Sequence, residues 1–302
     1  MGSDGRAGID AALVRRLIAA QFPQWRGLSV IPVEIDSWDN RTYRLGPELT
    51  VRLPTAAGYV PAVAKESYWL PRLAPALRVA VPPIVAEGVP GEGYPFPWSV
   101  RGWLSGRTAD RADIVDLPGF AVAVAEFIRA LRGCPTAGGP LAGAHSWYRG
   151  CSPAHYDEQT RGCLAALAGQ VDTDAAAAGW EAASATGWPA EPVWFHGDIA
   201  PGNLLVANGK LAAVIDFGTA GVGDPACDLV IAWTMFVGPS RRAFRDAVGL
   251  DAGTWARARG WALWKALLVL AECVDADPAR AAVQRRVIDE VLVDHELTRS
   301  PG

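Results

Sequence analysis

The dipeptide Asn208-Gly209 constrains this chain more than any other pair of residues in it. It stands between two apolar runs, residues 204–207 and 211–215. Asn-Gly in that setting dictates a two-residue hairpin with a type I′ turn, because both central residues must take positive φ. With Ala207 facing Lys210, Asn203 falls opposite Val214, and Asp216 lies two residues further on. Strand side chains alternate between faces, so Asn203 and Asp216 share one as diagonal neighbours, roughly 7–8 Å apart. That gap is too wide for a hydrogen bond. It suits a magnesium ion, whose ligands sit at about 2.0–2.1 Å and which keeps waters and phosphate oxygens in its shell. Asp198 lies in the loop that feeds this hairpin, after the short apolar strand Val193-Trp194-Phe195.

Asp198 and Asn203 are spaced D-x4-N and are followed by Asp216-Phe217-Gly218. Phosphoryl transfer uses this arrangement: one carboxylate orients or deprotonates the acceptor hydroxyl, while an asparagine and a second aspartate hold the metal that neutralises the phosphates. A polar-ended hairpin in an unrelated fold would have to match three spacings by accident. Residues 196–203 (HGDIAPGN), 215–218 (IDFG) and 223–229 (GDPACDL) together resemble the aminoglycoside phosphotransferase family, which has the kinase-like fold. The resemblance extends over nearly the whole chain, through DNRTYRL, VRLP, KESYWLPRLAP, GYPFPWSV and ARGWALWKAL. It implies an α+β, two-lobed protein-kinase-like fold, with a small N-terminal antiparallel β-sheet lobe and a larger, mainly helical C-terminal lobe. It also implies that Asp198 is the catalytic base, Asn203 and Asp216 are magnesium ligands, and Asp228 buttresses the catalytic loop from behind. His196 reads as structural, since phosphoryl transfer already has its carboxylate.

The rest of the chain is consistent with strands early and helices late. Asp10 can cap a helix over 11–22, and strands are expected over 28–35, 40–45 and 49–54. A helix over 62–73 should end or bend at Pro71. The Pro- and Gly-dense stretch 81–104 reads as strands joined by turns and a connector, which places the lobes at 1–103 and 104–302. Helices come next over 116–134 and 157–171. Residues 172–191 read as a surface loop, and the chain after 219 is helical to about 297.

A kinase-like enzyme needs a cation on the early sheet, paired with a helix glutamate, to hold the α/β-phosphates. The chain has three lysines (Lys65, Lys210, Lys265), none on an early strand, which leaves Arg52, with Glu66 as its partner. Arginine offers a planar fork where lysine offers a movable point charge. The loop covering the phosphates should be residues 36–40, where Ser37 and backbone amides do the work of a glycine-rich loop and Asn40 is assigned to the nucleotide with them. The base should rest against the connector at Ser99, Val100 and Trp103, held by backbone groups. ATP and GTP are equally compatible with these residues. A GxGxxA string at 221–226 also matches a dinucleotide-binding fingerprint. The second strand with its terminal acidic residue is missing from 238–248, which reads as helix.

At the acceptor end, Asp157, Glu158, Glu272 and Asp275 stand on helices that would form an acidic cleft for a polyamine-bearing antibiotic in the resembling family. The competing reading makes them solvated helix faces, and Asp157 also suits an N-cap. Trp147, Trp180 and Trp264, among 13 tryptophans, are alternative linings for a flatter pocket. With 28 basic and 32 acidic residues the chain lacks the basic footprint of a nucleic-acid binder. No run of 18 apolar residues occurs, so no membrane partner is expected. Five scattered cysteines without a CxxC pair read as reduced thiols in a cytoplasm. The expected partners are therefore a nucleoside triphosphate with magnesium and a small hydroxylated acceptor, cationic in the aminoglycoside case, in a monomer or homodimer. Macrolides, other antibiotics, sugars and choline-like alcohols stay open as acceptors, in resistance, metabolism or biosynthesis. A non-catalytic nucleotide-binding regulator is the rival from another class.

Overall fold

The computed structural model describes residues 8–34 and 39–299. It divides into two compact units, residues 1–107 with 212–218, and residues 108–211 with 219–302.

In the first unit, Asp10 accepts from Leu13 N–H at 2.7 Å and starts α1 (Ala11–Gln21). Leu13, Val14, Leu17 and Ile18 recur at helical spacing and are buried. They pack on a five-stranded antiparallel sheet formed by β1 (Val30–Pro32), β2 (Asn40–Leu45), β3 (Leu49–Pro54), β4 (Ile84–Gly88) and β5 (Trp98–Gly102), in the order β1-β2-β3-β5-β4. Tyr43, Leu45, Val51, Leu53, Trp98 and Val100 supply the sheet's share of this core. Each such side chain contributes about 1.5–3 kcal/mol on burial. The helix α2 (Val60–Leu73) joins β3 to β4 and runs two residues past Pro71. Buried Leu70 and Leu73 anchor that last turn, where the missing proline N–H costs a single bond near the helix end.

The second unit is mainly helical. Its strands are short: β6 (Arg107–Thr108), β7 (Val193–Phe195), β8 (Leu204–Ala207), β9 (Lys210–Val214) and β10 (Gly221–Gly223). β8 lies between β6 and β9 in a three-stranded sheet, and β7 pairs with β10. Asn208 has φ 52° and Gly209 φ 73°, the two positive values a type I′ turn requires. The helices are α3 (Leu117–Arg132), α4 (Asp157–Ala166), α5 (Thr173–Ser184), α6 (Ile231–Thr234), α7 (Gly238–Val248), α8 (Ala252–Cys273) and α9 (Pro278–Arg299). α8 is the central element and packs on α4, α5 and α9.

α5 overturns the reading of 172–191 as a surface loop. Asp172 caps it by accepting from Ala175 N–H at 3.0 Å, and Ala176, Gly179, Trp180 and Ala183 bury one face. Alanine is the best helix former, so a composition that looks loop-like continues as helix once it is capped and has a face to bury. Of the strand expected over 28–35, Val30–Pro32 forms β1, and residue 35 lies outside the described residues. No described helix is long and apolar enough to cross a membrane.

Candidate functional site

Within the first unit the charged groups meet on one face of the sheet. Ser99 lies opposite Arg52 in the β3–β5 ladder, so Arg101, two residues on, is a diagonal neighbour of Arg52 on the same face. Arg101 makes a bidentate pair with Glu66 on α2, Nη2 to Oε2 at 2.7 Å and Nη1 to Oε1 at 3.0 Å. Both residues are almost fully buried. Arg52 Nη1 stays 3.7 Å from Glu66 Oε1, while its Nη2 donates to Asp216 Oδ1 at 3.0 Å. The expected Arg52–Glu66 pair is therefore a long contact, and Glu66 is held chiefly by Arg101, which the sequence reading missed. The planar fork of Arg101 matches the carboxylate in two parallel bonds, leaving Arg52 free to lean toward Asp216.

Glu66 Oε1 also accepts from Phe217 N–H at 3.1 Å, so one buried carboxylate ties α2 to the backbone beside Asp216. Asp216 itself has φ 67°, a strained value for a non-glycine residue and one that clusters at functional sites. Lys65 Nζ donates to Gly218 O at 2.6 Å, and burial, opposed by Glu66, pushes its ammonium down to about 8.

Burial pushes Glu66 up, but Arg101 and Arg52 outweigh it and hold the carboxyl at about 2, below its ordinary 4.5. A depressed carboxylate stabilises the fold above its unfolded value, and that contribution is lost as pH falls from 4.5 through about 2. It is on the order of 3 kcal/mol. Urea titrations over this window should show wild-type stability falling more steeply than that of Glu66→Gln; parallel curves would remove the pair from the account.

The other positions assigned to the nucleotide divide. Asn40 is buried at the start of β2 opposite Pro54. Ser37 lies outside the described residues. Ser99 and Val100 sit inside β5 with ladder partners on β3 and β4, and Trp103 N–H donates to Glu48 O at 2.7 Å. These backbone groups are already engaged in the sheet, and the Ser99 hydroxyl accepts from Arg101 Nε at 3.0 Å.

In the second unit, β7 delivers Phe195, fully buried, to the turn His196-Gly197-Asp198. Asp228, also fully buried, receives both backbone N–H groups of the turn: His196 N at 2.8 Å and Gly197 N at 2.6 Å. Burial pushes the Asp228 carboxyl up, against the opposing pull of His196 and these N–H bonds. Gly197 has φ 85°, and a Cβ there would lie 2.9 Å from Thr219 Oγ1, so the turn accepts glycine alone without strain. His196 is buried, and its Nδ1 accepts from Asp198 N–H at 3.2 Å. The two residues before Asp198 and its own N–H are thus fixed, while its side chain is exposed.

Asn203 Nδ2 donates to Asp198 Oδ2 at 2.8 Å and to Asp198 O at 2.9 Å. With both amide hydrogens engaged, Asn203 keeps its carbonyl oxygen as a further acceptor. Asp216 gives Oδ1 to Arg52 and retains Oδ2. Each is by itself a hard oxygen of the kind magnesium takes beside water and phosphate. The described residues contain no group of three or more His, Cys, Asp or Glu able to hold a metal. The GxGxxA string is excluded as a dinucleotide fingerprint, because Gly221–Gly223 runs antiparallel to β7 and not in a parallel βαβ unit.

The four acceptor-side carboxylates differ in circumstance. Asp157 is the first residue of α4 and not its cap. Its carboxylate instead receives Arg161 Nε at 3.0 Å and Trp180 Nε1 at 2.7 Å. Glu272 is 3.9 Å from Arg280 Nη2, Asp275 is exposed, and Glu158 lines an open groove with His155, Tyr156 and Gln159. Trp180 is buried in the core and Trp264 nearly so, while Trp147 is 48% exposed.

The sequence pattern of a phosphotransferase enzyme family matches residues 31–261, more than half of the chain. A curated aminoglycoside 3'-phosphotransferase of Escherichia coli is 37% identical over 62 residues, a match spanning 16% of this chain and 23% of that protein. Among solved structures, a GDP complex of aminoglycoside 2'-phosphotransferase-IIIa superposes with a TM-score of 0.69 at 19% identity, covering 95% of this chain and all of that one (100%). A macrolide 2'-phosphotransferase from Brachybacterium faecium gives a TM-score of 0.58 at 22% identity, covering 93% and 98%. At these identities the likeness concerns the fold: the α+β kinase-like architecture expected from the sequence.

Proposed function

The chain belongs to the phosphotransferase enzyme family, and from that premise we propose that it moves the γ-phosphoryl group of ATP or GTP to a hydroxyl of a small molecule, with magnesium as the metal. One observation carries the reading: Asp198 is exposed on a backbone turn held by Asp228, with one carboxylate oxygen fixed by Asn203. A carboxylate held this way is oriented for a task, not for packing. Its Oδ1 would take the proton of the acceptor hydroxyl as the oxygen attacks phosphorus, while the Asn203 bond keeps Oδ2 out of competition. Asn203 and Asp216 would supply the metal oxygens. Magnesium, when bound with the nucleotide, neutralises charge on the phosphates. Arg52, kept charged by Asp216, Glu66 and Asp39 against the pull of burial, would hold the α/β-phosphates.

Aminoglycosides head the panel of acceptors because the similar proteins carry that name, with macrolides, sugars and choline-like alcohols beside them. A coupled assay of nucleotide consumption over this panel should find turnover that requires both magnesium and an acceptor, and mass spectrometry should find the acceptor carrying one added phosphate. Magnesium-dependent nucleotide binding without consumption on any member would favour the non-catalytic regulator.

A further inference from the structure

Phosphoryl transfer to a small molecule needs a surface for the acceptor. On the phosphotransferase reading, on which this inference rests, the second unit builds that surface from aromatic rings of the 147–156 segment and α8. Trp147 and Tyr148 are consecutive bulky residues with φ 50° and 56°, a conformation such side chains keep only when their surroundings impose it. The imposing contacts are present. Tyr148 N–H donates to Gly143 O at 2.8 Å, and Trp147 O accepts from Tyr156 Oη at 2.9 Å and from Arg149 Nη1 at 3.3 Å. The loop is seated on the strand that leads to Asp198. Gly150 has φ 81°, and a Cβ there would come within 2.0 Å of the Phe195 ring.

Tyr148 stacks on His155 with centroids 3.4 Å apart, and Tyr156 stacks on Trp264 at 4.2 Å, both pairs nearly parallel. His155 meets Tyr156 edge-on at 5.0 Å and joins the two stacks into one shelf. Gln159 Oε1 fixes the floor by accepting from Trp264 Nε1 at 2.7 Å. Tyr148 and Tyr156 are half-buried and His155 is exposed, and the shelf borders the groove that Glu158 and Gln159 complete.

The charges beside the shelf have the wrong sign for a polycation. The Arg149 guanidinium lies 5.2 Å from the Trp264 ring. Lys265, exposed and next in sequence to Trp264, lies within electrostatic reach of the cations Arg149 and Arg280 and of the carboxylates Asp198 and Glu272. Asp157 is engaged by Arg161 and Trp180, which leaves Glu158 as the carboxylate among the groove's lining residues. A polycation approaching Asp198 would meet Arg149 and Lys265, and like charges lower its local concentration.

We propose that the shelf of Tyr148, His155, Tyr156 and Trp264, edged by Arg149 and Lys265, is the acceptor subsite, and that it selects a hydroxylated molecule with an aromatic face that is uncharged or anionic. The part-exposed rings of Tyr148, His155 and Tyr156 supply stacking area over the buried Trp264, and the two cations attract an acid or tolerate a neutral group.

The test compares phenyl glucoside, phenyl glucuronide and kanamycin. Equilibrium binding to the full chain with magnesium and a nucleoside diphosphate is followed by tryptophan fluorescence, and transfer from the triphosphate by rate. Both phenyl compounds are expected to bind at least about tenfold tighter than kanamycin. Tyr148→Ala should weaken both by about tenfold. Lys265→Glu, at an exposed position, should weaken the glucuronide and tighten kanamycin. Kanamycin binding tighter than either phenyl compound, or phenyl affinities unmoved by both substitutions, overturns the proposal. Phosphorylation of kanamycin with the phenyl compounds ignored overturns the acceptor class and leaves the phosphotransferase reading standing. The expected binding order without transfer supports the subsite and counts against the phosphotransferase reading.

Discussion

Asp198→Asn is expected to lower kcat by about 10²–10⁴-fold while nucleotide affinity changes by less than about threefold, the range for loss of a positioned general base. The substitution keeps the shape of the side chain and an oxygen for the Asn203 amide to donate to, and the position is exposed. What it removes is the capacity to take a proton at Oδ1. The turn is held from the backbone by Asp228 and His196, so the fold should not register the change. Steady-state kinetics with a direct nucleotide titration separate the two effects. A kcat within about threefold of wild type would remove Asp198 from the chemistry.

Arg101→Ala carries the largest expected effect on stability. It strands the Glu66 carboxylate, itself 3% exposed, without its bidentate partner. Breaking one side of a buried pair typically costs about 3–5 kcal/mol, because the remaining charge stays desolvated. Arg52, whose Nη1 is 3.7 Å away, offers partial relief and should be drawn from Asp216. Nucleotide affinity should therefore fall together with stability. The double variant Glu66→Gln with Arg101→Met removes both charges of the pair and should regain most of the stability, since well-packed apolar replacements of buried pairs are often neutral. It should also regain nucleotide affinity, because no carboxylate at position 66 then draws Arg52 from Asp216. Urea midpoints for the single and double variants decide this. A single variant within about 1 kcal/mol of wild type would contradict the role given to Arg101.

The parts of the molecule that were legible in the sequence are those fixed by local chemistry. Asn208-Gly209 could take only positive φ in a hairpin, and the observed values are 52° and 73°. Asp10 and the apolar spacing behind it gave α1 with its cap. Arg101 was not legible, because its pairing with Glu66 depends on the β3–β5 register, which no local pattern states. α5 was hidden by an Ala-, Gly- and Asp-rich composition whose helical character depends on Trp180 finding a core. The acidic residues at the acceptor end were visible as charges, but their partners were not. Whether Asp157 is available or bound to Arg161 and Trp180 is decided by a residue 23 positions away.

Following the γ-phosphorus of a labelled nucleoside triphosphate tests the central claim most directly. The label should move to an ester on the acceptor hydroxyl only with magnesium present, and should stay on the nucleotide with Asp198→Asn. A label that remains on bound nucleotide in the wild-type chain with magnesium and every acceptor, or that reaches an acceptor equally well without Asp198, would contradict it.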